Sequence, residues 1–315
     1  MKAKLEKCFV APADTFDNVK GKFPIGFKVW NSSNNEGFIF IDSDVYDESG
    51  ILAGRKLFQP YEKCQFINKR ISLYKISETD AIGFMDGING NDFQHNSIVY
   101  ILNSKTQIPN PRGIWVNRTN LIAVAIYNAI RHCIEHTWLN HNDQFLTPNY
   151  SWQVDTAFQN DCLTYTLFDS KQRISIREGI NHWIPFTEQE VNAKTKFDSS
   201  FMTKFIAGKL KQEKSDTLFD TQELRTTPLI FSAQAQAVFS AGLALWQYYH
   251  QQPNCNVNAS LYDIREHFQG RNDTGKMNNK SDDATYMGLI KHLREQLKAL
   301  QKNIAPKIVE YGFLK

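Results

Sequence analysis

The sequence lacks any run of the ~18 consecutive apolar residues that a membrane-spanning helix requires. Its most apolar segment, Pro228 to Trp246, is broken by Ser232, Gln234 and Gln236. The N-terminal Met1 to Val10 alternates lysine with apolar residues and has no signal-peptide core. These absences predict a soluble, cytoplasmic protein with no membrane partner. Cysteine is sparse and odd in number. The five residues Cys8, Cys64, Cys133, Cys162 and Cys255 are far apart and form no C-x-x-C pair, which argues against a zinc ribbon or a disulfide framework. Charge of one sign is nearly missing too: 36 Lys and Arg against 33 Asp and Glu leave +3, so a face for nucleic acid would have to come from local clustering. There is no G-x-x-x-x-G-K-[ST] loop, Gly83 to Gly90 does not have G-x-G-x-x-G spacing, and no G-x-S-x-G elbow occurs. Kinase, dinucleotide and serine-hydrolase chemistry therefore have no support.

What is present describes a folded α+β chain. With 315 residues, 42% of them hydrophobic, it can bury a sizeable core and is long enough for two domains. Three sections follow from patterning: 1–45, 46–186 and 187–315. In the first, Lys7 to Val10 is a short apolar run ending at Ala11-Pro12. Phe23 to Trp30 is a longer strand pattern, and the turn chemistry of Asn31 to Asn35 predicts that it pairs with Gly37 to Ile41 as a hairpin. The second section mixes strands and loops with one helix over Leu121 to Trp138, capped by Thr119-Asn120. Asp161 to Phe168 reads as a buried strand. The third section is helical. Thr187 and Glu190 form a capping-box pattern opening a helix to about Ile206, and Pro228 starts another through Tyr249. In the last helix, about Asp282 to Asn303, Tyr286, Ile290, Leu293, Leu297, Leu300 and Ile304 make a heptad seam. Packing against its own domain is favoured over dimerisation because the seam is short. Gln269 to Asp283, polar and glycine-containing, reads as a mobile loop.

Two constellations carry chemistry. His132-Cys133-Ile134-Glu135-His136 fits the H-x-x-E-H pattern, in which two imidazoles one helical turn apart hold zinc while Glu activates water. His141 and Asp143 would add a ligand. A zinc-dependent hydrolase on His132, Glu135 and His136 is thus one alternative, set against polar helix-end residues that satisfy carbonyls or contact phosphate. The other constellation is Pro111 to Arg118, which places Arg112, Asn117 and Arg118 beside Trp115 at a loop-to-helix junction. Arg and Asn make bidentate contacts to guanine and adenine edges. Lys69 with Arg70, and Arg173 with Arg177, add positive charge. Each group alone is a solvated surface; together they suggest a DNA face.

The first thirty residues resemble a segment of the adenine-specific DNA methyltransferases of bacterial restriction-modification systems. The likeness rests on Phe9-Val10-Ala11-Pro12, the loop Thr15 to Gly21, and Phe23-Pro24-Ile25-Gly26-Phe27-Lys28-Val29-Trp30. Arg131 to Glu135, Asn160 to Leu163 and Gly179 to Phe186 resemble the C-terminal part of long members. The family's [NDS]-P-P-[YFW] catalytic loop is missing, Asn110-Pro111-Arg112 being the nearest string, and so is its Gly-rich cofactor motif. The resemblance therefore implies the DNA-recognition C-terminal portion of such an enzyme: a β-hairpin remnant of the methyltransferase sheet, a mixed α/β target-recognition region and a helical tail. It implies double-stranded DNA as partner. It also implies inactivity alone, with S-adenosylmethionine used only when a separate methyltransferase N-terminal polypeptide supplies the catalytic half. Phe16 matches the aromatic that faces the extruded adenine, with a core residue beneath the sheet as the other reading. A non-functional gene fragment is a further alternative.

Overall fold

The computed structural model describes residues 3–37, 40–58, 67, 71–72, 74–88, 98–135, 137–139, 148–210 and 227–313, and these form a mixed α+β chain. The first sheet has the order β2-β1-β3-β4, from β1 (Lys4–Pro12), β2 (Pro24–Asn31), β3 (Ile41–Tyr46) and β4 (Leu52–Phe58). β1 pairs antiparallel with β2 from Lys4↔Asn31 to Pro12↔Pro24, and parallel with β3 at Phe9↔Asp44 and Val10↔Val45.

Among the described residues the expected hairpin between Phe23–Trp30 and Gly37–Ile41 is not formed. β2 instead turns back along β1, closed by Ala13 N donating to the Phe23 carbonyl at 2.9 Å. The turn signal at Asn31 to Asn35 is real but local. Asn31 Oδ1 accepts from Ser33 N and Asn34 Oδ1 from Glu36 N, which folds an open loop rather than a tight strand-to-strand turn. Pro12 and Pro24 face each other at the mouth of the true hairpin, where a missing ladder donor matters least. Phe38 and Ile39 lie outside the described residues.

A second sheet of order β6-β5-β7 combines β5 (Gly83–Asp86), β6 (Tyr100–Leu102) and β7 (Ile114–Val116), all antiparallel. Gly113 leads into β7 so close to β5 that a Cβ would stand 1.8 Å from the Met85 carbonyl oxygen. Strand alternation sends Met85, Ile101 and Val116 into the main core and Phe84, Tyr100, Leu102 and Trp115 to the opposite face.

Six helices are described: α1 (Leu121–Cys133), α2 (Thr156–Phe168), α3 (Phe201–Ile206), α4 (Ala233–His250), α5 (Leu261–Gln269) and α6 (Ala284–Glu310). Asp161 to Phe168, expected as a strand, is the body of α2. Asp155 caps that helix by accepting from Phe158 N at 2.9 Å. Every residue from Phe158 to Phe168 is buried, so no polar face marks the helical period. Its polar side chains are satisfied inside the core: Thr166 Oγ1 donates to the Ala125 carbonyl of α1, and Asn303 of α6 donates to Asp161.

α1 stops at Cys133, short of the expected Trp138. Ile134 leaves the helix with extended dihedrals, and Gln301 of α6 donates to the terminal carbonyls of His132 and Cys133. The Thr187–Glu190 box forms with both reciprocal bonds but closes a single turn, because Asn192 adopts φ 57°. The helix in that region is only Phe201–Ile206. α4 starts at Ala233 behind the Ser232 cap rather than at Pro228. The seam of α6 packs on α4, α2 and α1, with Tyr286, Ile290, Leu293, Leu300 and Ile304 buried and Leu297 packed at its margin. Between α5 and α6, residues 270–282 are a loop, tied by an Arg271–Met277 bridge. One continuous apolar cluster runs from Ile67 to Phe313.

Candidate nucleic-acid interface

Two surfaces collect the residue types that contact nucleic acid. The first is one face of the β1–β4 sheet. Phe9 and Phe27 are register partners and therefore point the same way; their rings stack at 4.6 Å. Tyr46 meets Phe9 edge-on at 6.0 Å, and Phe16 leans on Phe27 at 5.8 Å. Phe16 follows a 3-10 turn whose Ala13 carbonyl accepts its backbone N–H. It is 39% exposed, Phe9 40% and Phe27 36%, so Phe16 sits at the end of a surface row and not beneath the sheet. The opposite face holds the buried Cys8, Val10 and Val45. Two basic groups nearby are paired: Arg55 with Asp44 at 3.2 Å, and Lys22 with Glu48 at 2.9 Å and Asp14 at 3.5 Å.

The second surface is the outer face of the β5–β7 sheet. Phe84, Tyr100 and Leu102 form a small satellite core with Ile108 and Trp115. Cations cap it. The Arg173 guanidinium lies 4.0 Å from the Tyr100 ring centre and Lys105 Nζ lies 5.6 Å from that of Trp115. Arg173 is steered there by its backbone N–H, which donates to Ile101, and Lys105 by a Ser104–Gln107 capping box. The exposed Arg112 belongs to the loop that closes this face, its backbone N–H donating to Asp86 Oδ1 at 2.8 Å. The satellite core is filled, so bases have no room to stack there; the outward Arg173 guanidinium suits phosphate instead, while the Lys105 ammonium also faces Glu78 at 3.7 Å.

The other candidates fare differently. Asn117 Oδ1 accepts from both the backbone N–H and the hydroxyl of Thr119, so its amide oxygen is committed to the turn before α1. That use removes the acceptor half of a bidentate contact to adenine. Arg118 lies in the same turn, half-buried. Arg177 pairs with Glu266, which also binds Arg271 at 2.7 Å. Burial would raise the Glu266 carboxyl, but these two guanidiniums hold it below the usual range. Lys69 and Arg70 lie outside the described residues. Tyr100, Lys105, Phe9 and Phe27 were not singled out by sequence. The one available signal was the two-residue alternation of β1, which sets Phe9 opposite Cys8 and Val10.

Of the H-x-x-E-H residues, His132 and Glu135 are described. His132 is the penultimate residue of α1 and its ring is fully buried, donating from Nδ1 to Asp169 Oδ2 at 2.6 Å. Burial acts to raise the Asp169 carboxyl, and His132 with Lys171 more than reverses this, so it stays below the ordinary range. Gln172 joins the pair to Asn128 and to the β6 backbone at Ile101. Glu135 lies beyond the helix end, losing the one-turn spacing to His132, and His136, His141 and Asp143 lie outside the described residues. Among the described residues no group of three metal-binding side chains is assembled. His132 here serves as a buried joint between α1, the end of α2 and β6.

No known protein family, no curated protein and no solved structure matches this chain. The methyltransferase resemblance rests on the residues quoted above.

Proposed function

We propose that this chain is the DNA-recognition portion of an adenine-specific DNA methyltransferase, inactive alone and complemented by a separate polypeptide carrying the catalytic and cofactor motifs. The observation that carries the reading is the surface row Phe16, Phe27, Phe9 and Tyr46. Methylating the exocyclic amine of adenine requires the base to leave the duplex, at a cost of a few kcal/mol. Stacking on an exposed aromatic returns about 1–3 kcal/mol per base, and Phe16 at the end of the row is the residue assigned to that contact. Arg112 and Arg173, with Lys105, supply phosphate contacts that hold the duplex without reading it. A cytoplasmic location accompanies this role.

S-adenosylmethionine does not fit the residues present. The Gly-rich loop that would cradle it is missing from the sequence, and the two larger clefts among the described residues, lined by Phe268, Gln269 and Asn278 to Asp282 and by Lys194, Thr195, His250 and Gln252 to Val257, contain no glycine. No step is therefore routed through it here; the cofactor would be held by the complementing half.

The test is methyl transfer in a complex reconstituted with a catalytic half, alongside duplex binding by this chain alone. Phe16→Ala should leave duplex affinity within about twofold and lower methyl transfer at least tenfold, the range that loss of one stacking contact predicts. Equal methyl transfer by variant and wild type would remove Phe16 from the site.

A further inference from the structure

The whole-chain charge of +3 is not spread over the surface. α4 contains no Lys, Arg, Asp or Glu, and α2 contains only Asp161. α6 has five basic residues (Lys291, Arg294, Lys298, Lys302, Lys307) and two acidic ones (Glu295, Glu310), a net +3 in one helix. The rest of the chain is balanced.

Their placement on the helix is selective. The seam through Tyr286, Ile290, Leu293, Leu300, Ile304 and Ile308 is buried against the other helices. With 3.6 residues per turn, Lys291, Arg294, Lys298 and Lys302 fall within an arc of about 80°, along about 16 Å of axis. All four are exposed. Elsewhere several basic side chains meet carboxylates, as Lys22, Arg55, Arg177 and Arg271 do. Among the described residues the one ion pair along this ridge is Lys291 with Glu295, at 3.9 Å and 77% and 58% exposed, a geometry that neutralises little. Among the described residues Arg294, Lys298 and Lys302 have no carboxylate partner within ion-pair distance.

We infer that the Lys291–Arg294–Lys298–Lys302 ridge of α6 is the surface that tracks the phosphate backbone of duplex DNA. The inference rests on the DNA-binding reading above and names the part of the chain that supplies most of its affinity. A row of exposed cations, three of them without a carboxylate partner among the described residues, is complementary to a polyanion with regularly spaced charges, and contacts of this kind release counterions irrespective of sequence. The residues around Arg112 and Arg173, by contrast, are held on a filled aromatic cluster and offer only two or three cations.

The experiment compares the wild-type chain with the triple variant Lys291→Gln/Lys298→Gln/Lys302→Gln. Binding to a random-sequence duplex is followed by fluorescence anisotropy from about 50 to 200 mM salt, the range over which phosphate contacts are read out. The positions are exposed, so the thermal melt should be unchanged. Each lost phosphate contact lowers the log–log salt slope by about 0.9, so the slope should become shallower by between two and three, with affinity at about 100 mM salt down at least tenfold. The triple Lys→Arg variant should retain both. Wild-type binding with an unchanged slope in the Gln variant would overturn the ridge while leaving the DNA reading intact. Failure of the wild type to bind duplex even at the lowest salt would overturn the DNA reading and the ridge with it. Binding to anionic vesicles but not to duplex would assign the ridge to a membrane surface and likewise overturn the inference.

Discussion

The first sheet and the helical core use the same side chains in opposite ways. In the sheet, Phe9, Phe16, Phe23, Phe27 and Trp30 are all more than a third exposed. In the core, Phe168 is surrounded by Phe186, Phe239 and Trp246 at ring distances of 5.4 to 6.1 Å, and Tyr286 stacks on Phe268 at 4.3 Å. An aromatic in the second setting lowers free energy by leaving water. One in the first setting has kept its solvent contact and contributes little to folding. A surface row of this kind marks an interaction site more often than chance packing does, so the contrast separates the part of the chain that holds the fold from the part available to a ligand.

The largest effect expected from that contrast is on Trp246, 2% exposed in the C-terminal half of α4. Trp246→Ala should cost about 3–5 kcal/mol by urea denaturation. A loss below about 1 kcal/mol would mean that the aromatic core is not close-packed.

Next comes the buried joint. Asp169→Asn leaves His132 in the core without its anion and should cost about 3 kcal/mol at neutral pH. The sign with pH is fixed by the lowered Asp169 carboxyl. A carboxyl depressed in the folded state stabilises above its unfolded value near pH 4 and loses that contribution as pH falls through its folded value. The gap between wild type and variant, followed by denaturation from neutral to acid, should therefore narrow below about pH 4. A gap that widened on acidification would contradict the assignment. Asp161 works in the opposite sense: burial raises its carboxyl despite bonds from Ser232 and Asn303. That is why the comparison must be made as a difference between the two proteins.

The smallest effect is expected on the sheet. Phe27→Ala removes one exposed stacking partner and should cost less than about 1 kcal/mol. If it cost as much as Trp246→Ala, the distinction between an available row and a packed core would collapse.

Much of the helical region was legible in the sequence because one side of each legible element faces water. The α6 seam could be read residue by residue, since Lys291, Lys298 and Lys302 interrupt the apolar positions at helical spacing. α2 could not be read that way. With its residues from Phe158 to Phe168 buried all round, Thr164 and Thr166 look like the polar positions of a strand, whereas in the helix each hydroxyl donates to the carbonyl four residues back, Asn160 and Cys162. The hairpin was misplaced for a related reason. Turn chemistry at Asn31 to Asn35 is a local signal, whereas the β1–β2 register, including Phe9↔Phe27, is a long-range match that outweighs it.

The candidate site shows the same division. Arg112, Arg173 and Phe16 were recognisable as types, but whether a cation is free or paired depends on residues far away in sequence. Arg177 is taken up by Glu266 and the Asn117 oxygen by its own turn.

The sequence by itself determined the periodicities: which positions of a strand or helix share a face, where apolar seams run, and that it contains no C-x-x-C, P-loop or nucleophile-elbow motif. The tertiary structure decided which of two faces is covered. Alternation places Phe9 opposite Val10, but nothing local says that Val10 is the buried one. Burial is a property of what packs against a face, and so the exposed aromatic row, the buried His132–Asp169 pair and the sparsely paired ridge on α6 came into view only once distant segments were brought together.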